Sequence, residues 1–178
     1  MKILIAHNQY VYPGGEDAVV HSETALLRAF GEEVFVYQRH NDEFGRLNLL
    51  SKLGHLVALG HSRPAYDQFR AAIRRHRPQV AHFHNIFYMM MPAVYQACRD
   101  EGVAVVQSLH NFRMMCSNGL FFRDGHVCED CLQKNLWEGV KHRCFRRSVI
   151  ATAAMALMLN SHWQRGTWLN DIDLYVAA

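Results

Sequence analysis

Short apolar runs alternate with helix-forming segments along this chain, and that rhythm constrains the fold more than any other feature. Lys2 to Ala6 is β-branched and apolar with no polar alternation. A strand with one wet face alternates polar and apolar residues. A run without alternation suits a strand buried on both faces, as in a parallel sheet. Glu33 to Gln38, Val80 to Phe83, Val103 to Leu109 and Leu174 to Ala178 repeat the theme, the last reading as a core strand. Parallel neighbours need long crossovers, usually helices. Helical segments stand in the gaps. One opens on Glu16 and Asp17, whose charges complement a helix N-terminus, and stops at Gly31. Along it Ala18, Val19, His21, Ala25, Leu26 and Ala29 fall near helical spacing. Pro64 to His76 places Tyr66, Phe69, Ala72 and Ile73 on one face, and Pro92 to Glu101 stops at Gly102. Residues 39–62 read as a loop and a loose helix. The expected class is α/β: a Rossmann-like open parallel sheet with helices on both faces.

Residues 112–144 break the rhythm. They show little periodicity, hold four of the five cysteines and carry several basic residues. They read as a cysteine-rich insertion in the α/β scaffold, with helix resuming over 145–169. Length and composition fit one domain, since 178 residues can bury a substantial core. A formal net charge of +3 is too small to argue for nucleic acid. The apolar run Val149 to Leu159 is too short to cross a bilayer. The start, MKILIAHNQ, lacks the cleavage site of a signal peptide and reads as a first strand. A cytoplasmic setting follows. Reduced cysteines there serve metal or catalytic roles more often than disulfides.

Ligands of open α/β sheets bind at the carboxyl ends of the strands. That edge should collect Asn8, Gly14 and Gly15 after the first strand, His82, His84 and Asn85 after Val80–Phe83, and His110 and Asn111 after Val103–Leu109. Gly14–Gly15 before a helix can present bare backbone N–H groups to an anion, or can simply turn the chain; Pro13 precedes them and the fuller Gly-x-Gly-x-x-Gly signature is absent. His82 and His84, two apart on a strand, point to the same side. They could be a metal pair, a contact to sugar hydroxyls or a structural pair. Metal is the poorer choice, because neither a carboxylate nor a third histidine stands near them in sequence. His110 could act as a general base, donate to developing charge on a phosphate, or bond a loop carbonyl.

The cysteines are the sharpest local signal. Cys128 and Cys131 form a C-x-x-C pair, Cys116 precedes it by twelve positions and Cys144 follows it by thirteen. Four thiolates of this kind can close a tetrahedral structural zinc site, with a redox dithiol or unlinked thiols as the alternatives. Cys98, inside a helix, reads as a small core residue, and Met89–Met90–Met91 as packing at a helix start. Two rival functions attach to the cysteine segment. A zinc-stabilised nucleic-acid-binding protein would use the neighbouring basic residues Lys141 to Arg147. A thiol oxidoreductase would use Cys128 and Cys131, although Glu129 and Asp130 between them should blunt thiolate formation.

Together, the MKILIAHN start, the Pro-Gly-Gly-Glu loop, the strand Glu33–Tyr37, Arg77-Pro-Gln-Val-Ala-His-Phe-His-Asn85 and Ser108-Leu-His-Asn-Phe112 resemble the N-terminal domain of family-four glycosyltransferases of the GT-B fold. The cysteine segment resembles a subgroup with an insertion after the strand-end histidine. The resemblance implies two facing Rossmann-like domains, of which residues 1–178 are the acceptor-side one. It implies a retaining transfer from a nucleotide-sugar donor to a sugar, polysaccharide or lipid-linked acceptor, with no catalytic metal and no nucleic-acid partner. Peripheral contact with the inner face of the membrane is a further expectation. By the same resemblance Gly14 and Gly15 approach donor phosphates, His110 stands near the reacting sugar, and Asn8, His84, Asn85 and Asn111 line the cleft. The carboxylates of the family's E-x7-E motif belong to a donor-binding C-terminal domain that this sequence does not contain. The sequence stops inside an apparent strand, as a chain cut short of its second half would. The expectation is therefore a half-enzyme, inactive alone.

Overall fold

A computed structural model describes residues 1–12, 14–46, 48, 58 and 61–177. Pro13 and most of the segment 47–60 lie outside the described residues, and with them much of the expected loop and loose helix. The chain divides into two compact units. The first is Met1–His110 with Thr167–Ala178, and the second is Asn111–Gly166.

The first unit is built on a parallel five-stranded sheet of β1 (Lys2–Gln9), β2 (Glu33–His40), β3 (Val80–Phe83), β4 (Ala104–Leu109) and β7 (Leu174–Ala177), in the order β2-β1-β3-β4-β7. Its register pairs Ile3 with Val34 and with Val80, Val80 with Ala104, and Val106 with Leu174. The fold is α/β and Rossmann-like. Strand order reverses between β1 and β3. In sheets of this order the crevice for ligands opens there, at the carboxyl ends.

Helix α1 (Gly15–Ala29) covers one face, where Val20 and Leu27 pack on Ile3, Ile5 and Val34. A short helix α2 (Asp42–Arg46) follows β2. Helices α3 (Arg63–His76) and α4 (Ala93–Asp100) cover the opposite face. There Phe69 of α3 packs on Tyr37 and Phe83, and Tyr95 of α4 meets Phe83 edge-on at 5.0 Å. Helix α3 starts where Ser62 accepts the Ala65 N–H and Pro64 fills the first turn, and it ends on Arg77 in the left-handed region. Cys98 and Met90 are core residues, as the sequence suggests.

Two features differ from the sequence reading. The six α1 residues at helical spacing, from Ala18 to Ala29, are exposed; the face turned inward is Asp17, Val20, Glu23, Thr24 and Leu27. That inner face carries three polar residues, so hydrophobic periodicity points to the wrong side. β7 is an edge strand, not a core strand, and all four of its residues are exposed.

The second unit starts with turns around Cys116 and a hairpin of β5 (Phe122–Arg123) and β6 (His126–Val127). Asp124 and Gly125, both at positive φ, make the two-residue turn that such hairpins favour. Helices α5 (Asp130–Gln133), α6 (Trp137–Lys141) and α7 (Val149–Gln164) complete it. The unit thus runs past the expected boundary at residue 144 and takes in the helix capped by Ser148. A last turn, α8 (Thr167–Asn170), returns to the first unit and leads into β7. No helix among the described residues is long and apolar enough to cross a membrane.

Candidate functional site

The switch point is clasped by two asparagines. The Asn8 backbone N–H donates to the Asn85 carbonyl at 2.7 Å, and the Asn85 side-chain amide donates back to the Asn8 carbonyl at 2.9 Å. Asn8 donates its own amide to the Phe87 carbonyl, while Asn85 Oδ1 accepts the Phe87 N–H at 3.0 Å. Both side chains are buried. They hold β1 and β3 in register at their carboxyl ends, so they shape the crevice and do not present amides to it.

On the α1 side of the sheet, four histidines and two carboxylates come together. His7, on the same face of β1 as Ile3 and Ile5, bonds Asp17 at 2.9 Å. Burial pushes the His7 imidazole below its ordinary value, against the pull of the Asp17 carboxylate. The contact is therefore a hydrogen bond from a neutral ring at neutral pH, not an ion pair. Glu23 reaches His82 Nδ1 at 2.5 Å and His84 Nε2 at 3.4 Å. Burial opposes ionisation of Glu23, but the hydrogen bonds and charge of His82 and His84 outweigh it and hold the carboxyl at about 2. His82 Nε2 meets Ser108 Oγ at 2.9 Å, and His84 Nδ1 meets His110 Nε2 at 2.9 Å with the two rings stacked.

Hydrogen bonds and a short ion pair join Ser108, His82 and Glu23, a hydrogen bond joins His84 to His110, and the two runs meet where Glu23 approaches His84 Nε2 at 3.4 Å without a hydrogen bond. Glu23 is ionised at neutral pH, so the ring nitrogens facing it carry protons. A lone pair turned on the carboxylate would be repelled. His84 Nδ1 and His110 Nε2 share one hydrogen bond at 2.9 Å. This relay of contacts thereby fixes the ring of His110, which is only half-buried, at the end of β4. An imidazole held this way can shuttle a proton or donate to an anion.

The sequence reading discounted metal at His82–His84 for want of a carboxylate. The fold supplies one. Glu23, His82 and His84 place three ligand atoms within 4.8 Å of one another, and they are the group of this kind found among the described residues. Two imidazole nitrogens and a carboxylate can hold a divalent cation. His82 Nδ1 is already paired with Glu23, whereas His84 Nε2 makes no hydrogen bond among the described residues. Nothing in the sequence marks Glu23, which sits 59 positions before His82 and off the helical face formed by Ala18, Val19, Ala25 and Leu26.

Gly14 and Gly15 lead into α1. Gly14 donates its N–H to Asp17 Oδ2 at 2.7 Å, closing the first turn. Gly14 is extended, and a Cβ at Gly15 would meet nothing within 4 Å. The fold itself therefore places no demand for glycine at 15. Gly15→Ala is expected to raise stability by up to about 1 kcal/mol, the helix-propensity difference, and thermal unfolding checks it. A drop in the melting temperature would show that the glycine serves the fold rather than a ligand.

Asn111 opens the second unit, where its Oδ1 accepts the Arg113 N–H. The four cysteines of that unit are unpaired by disulfides. Burial pushes the Cys131 and Cys144 thiols up. A dithiol reagent needs the opposite shift, because the thiolate is the nucleophile.

No known family's sequence model matches the chain, and no curated protein matches it. Among solved structures, one titled the S. aureus MnaA–UDP co-structure is similar, with a TM-score of 0.43 and 16% identity over 64% of this chain. This chain spans 30% of that one.

Proposed function

We propose that this chain is the acceptor-side, Rossmann-like half of a glycosyltransferase that uses a nucleotide-sugar donor. The observation that carries the reading is the relay ending on His110 beside the β1/β3 switch point. A proton-holding imidazole is fixed at the carboxyl edge of a parallel sheet, where such folds bind ligands. The residues that resemble the glycosyltransferase family are the same strand ends that the relay joins. Gly14 and Gly15 lead into α1, whose N-terminus would approach phosphates; a Cβ at Gly15 would have nothing beside it within 4 Å, and a phosphate reaching the Gly14 N–H would take the place of the Asp17 carboxylate.

In this reading His110 donates a hydrogen bond to the sugar or to charge developing on the leaving phosphate. Glu23 and His84 do not touch substrate; they are positioning residues that keep His110 in one orientation. Transfer requires the donor to be held as well, and much of the rate of such a reaction comes from placing both partners. The 178-residue chain is therefore expected to bind but not to turn over.

Titration of the 15N-labelled chain with UDP and UDP-hexoses tests this. The expected result is fast-exchange shifts at Gly14, Gly15, His84 and His110, with a Kd on the order of 1 mM, equivalent to ~4 kcal/mol. No shift at those residues up to about 10 mM ligand, or shifts confined to other surfaces, would overturn the assignment. Sugar transfer by the purified chain would overturn the half-enzyme part of it.

A further inference from the structure

Residues 111–148 have no hydrophobic core. Their buried residues are Cys116, Ser117, Gly119, Glu138 and Gly139, with no aliphatic or aromatic side chain among them. Of its apolar residues, Phe112, Leu120, Phe122, Val127, Leu132 and Trp137 are exposed and the others half-buried. The buried aliphatic side chains of the second unit, Met155, Ala156, Met158 and Leu159, all lie on α7. Segments below roughly 40 residues usually need a metal, disulfides or a partner. Disulfides are absent here.

What occupies the centre is sulfur. The Cys116 N–H donates to the Phe112 carbonyl and its own carbonyl accepts the Gly119 N–H, which fixes one turn. The Cys128 N–H donates to the Phe121 carbonyl at 2.8 Å, which sets the C-x-x-C pair directly after the hairpin. The Cys144 N–H donates to the Gly139 carbonyl at 3.0 Å. Gly139 joins the parts: a Cβ there would lie 3.4 Å from Cys131 Sγ and 3.0 Å from Ser117 Oγ. Gly139 thus brings together Cys131, the backbone of Cys144 and Ser117, the chain neighbour of Cys116, and the C-x-x-C spacing adds Cys128 beside Cys131.

The surroundings are furnished with donors. Arg123 pairs with Asp130 at 2.9 Å, and Asp130 lies 3.6 Å from Cys128 Sγ. Ser117 Oγ is fully buried and has no hydrogen-bond partner among the described residues. A guanidinium and a buried hydroxyl close to the cysteines are groups of the kind that the second shell of a metal–thiolate centre uses. No three of the sulfurs yet lie within 4.8 Å of one another. Tetrahedral zinc, with Zn–S of about 2.3 Å, would draw them together.

We propose that Cys116, Cys128, Cys131 and Cys144 form a structural tetrathiolate zinc site that orders residues 111–148, with Arg123 offsetting its negative charge. The site takes a thiophilic divalent cation, closes all four positions and leaves none for substrate. It is separate from the Glu23–His82–His84 group and does not depend on the function proposed above.

The test is metal analysis of the purified chain, followed by cobalt exchange and hydrogen exchange. The expected result is about one zinc per chain, and a cobalt form with the strong thiolate-to-metal bands of a tetrahedral four-sulfur site. Chelation should strip amide protection from residues 111–148 while the amides of β1, β3 and β4 stay protected. Cys128→Ser and Cys131→Ser should each cut bound zinc to under about a tenth of the wild-type content, and Cys98→Ser should leave it unchanged. Should the serine variants fail to fold, wild-type protein reads the same point: zinc should protect four of its five thiols from alkylation. Two results would overturn the proposal. One is a metal-free chain with residues 111–148 equally protected and the thiols reactive. The other is metal that persists in the serine variants and departs in Glu23→Gln, which would assign it to the histidine group.

Discussion

Glu23→Ala is expected to lower the stability of the chain at neutral pH, by at most about 3 kcal/mol, and to flatten its acid limb. The size follows from linkage. The Glu23 carboxyl sits at about 2 in the folded chain against an ordinary 4.5, a difference of 4.5 − 2, or roughly 2.5. At 1.36 kcal/mol for each such step that is about 3 kcal/mol. The sign follows from the direction. A depressed carboxyl stabilises the fold above its unfolded value, and that stability drains away as pH falls from about 4.5 towards 2. The alanine variant also leaves His82 Nδ1 and His84 Nε2 facing a hole where an acceptor stood. Urea unfolding of both proteins from pH 7 to pH 2.5 measures the difference. The two curves should converge at the acid end. A gap that stays constant across the range would show that Glu23 acts through packing and not through its charge.

Trp168→Ala is expected to cost about 3–5 kcal/mol, the usual range for emptying a large buried aromatic site. Trp168 is fully enclosed, meets Tyr95 edge-on at 6.3 Å, and its carbonyl accepts the Tyr175 hydroxyl at 2.6 Å. It is the anchor by which α8 delivers β7 to the sheet. Polar ties assist it. Arg99 bonds Asp171 and the Asn170 carbonyl, each at 2.6 Å, and Asp173 trades hydrogen bonds with the Val105 backbone. The loss should therefore be uneven. Hydrogen exchange should quicken first across β4–β7, with β1–β2 protected longest. Uniform loss across the sheet would show that the tryptophan supports the whole core and not one edge.

Much of the scaffold is legible in the sequence, because strands buried on both faces write themselves as unbroken apolar runs. Val80–Phe83 matches its strand residue for residue, and Lys2–Ala6 falls short only by the polar extension through Gln9. The pairing of His82 with His84 is legible from the two-residue period alone. Helix α1 is legible in its extent but not in its buried face, and for one reason. Asp17 and Glu23 point inward to reach histidines on β1 and β3. A helix that turns carboxylates to the sheet must show Val19 and Leu26 to water, and periodicity then selects the wrong face. Asn8 and Asn85 are readable as strand-end residues, but their mutual clasp spans 77 positions and no local pattern announces it. β7 reads as core because its letters are apolar, whereas its place at the edge is decided by topology. The end of the cysteine segment is not legible either, since helix α7 looks like scaffold yet clusters with residues 111–148.

The order β2-β1-β3-β4-β7 also sets how the molecule must assemble in time. β1 finds its first neighbour within one short crossover, as Ile3 meets Val34, but its other edge waits for Val80. Until β3 arrives, half of the central strand's hydrogen-bonding groups stay open, along with Leu4 and Ala6 on the face that α3 and α4 will cover. Closing that loop costs chain entropy before any contact repays it, and long-range parallel pairing is slow for that reason. The asparagine clasp can lock only after this step. Before β3 pairs, an interior strand with a buried apolar run is half-dressed, and that stage, not the finished sheet, is where a chain of this topology is most exposed to aggregation.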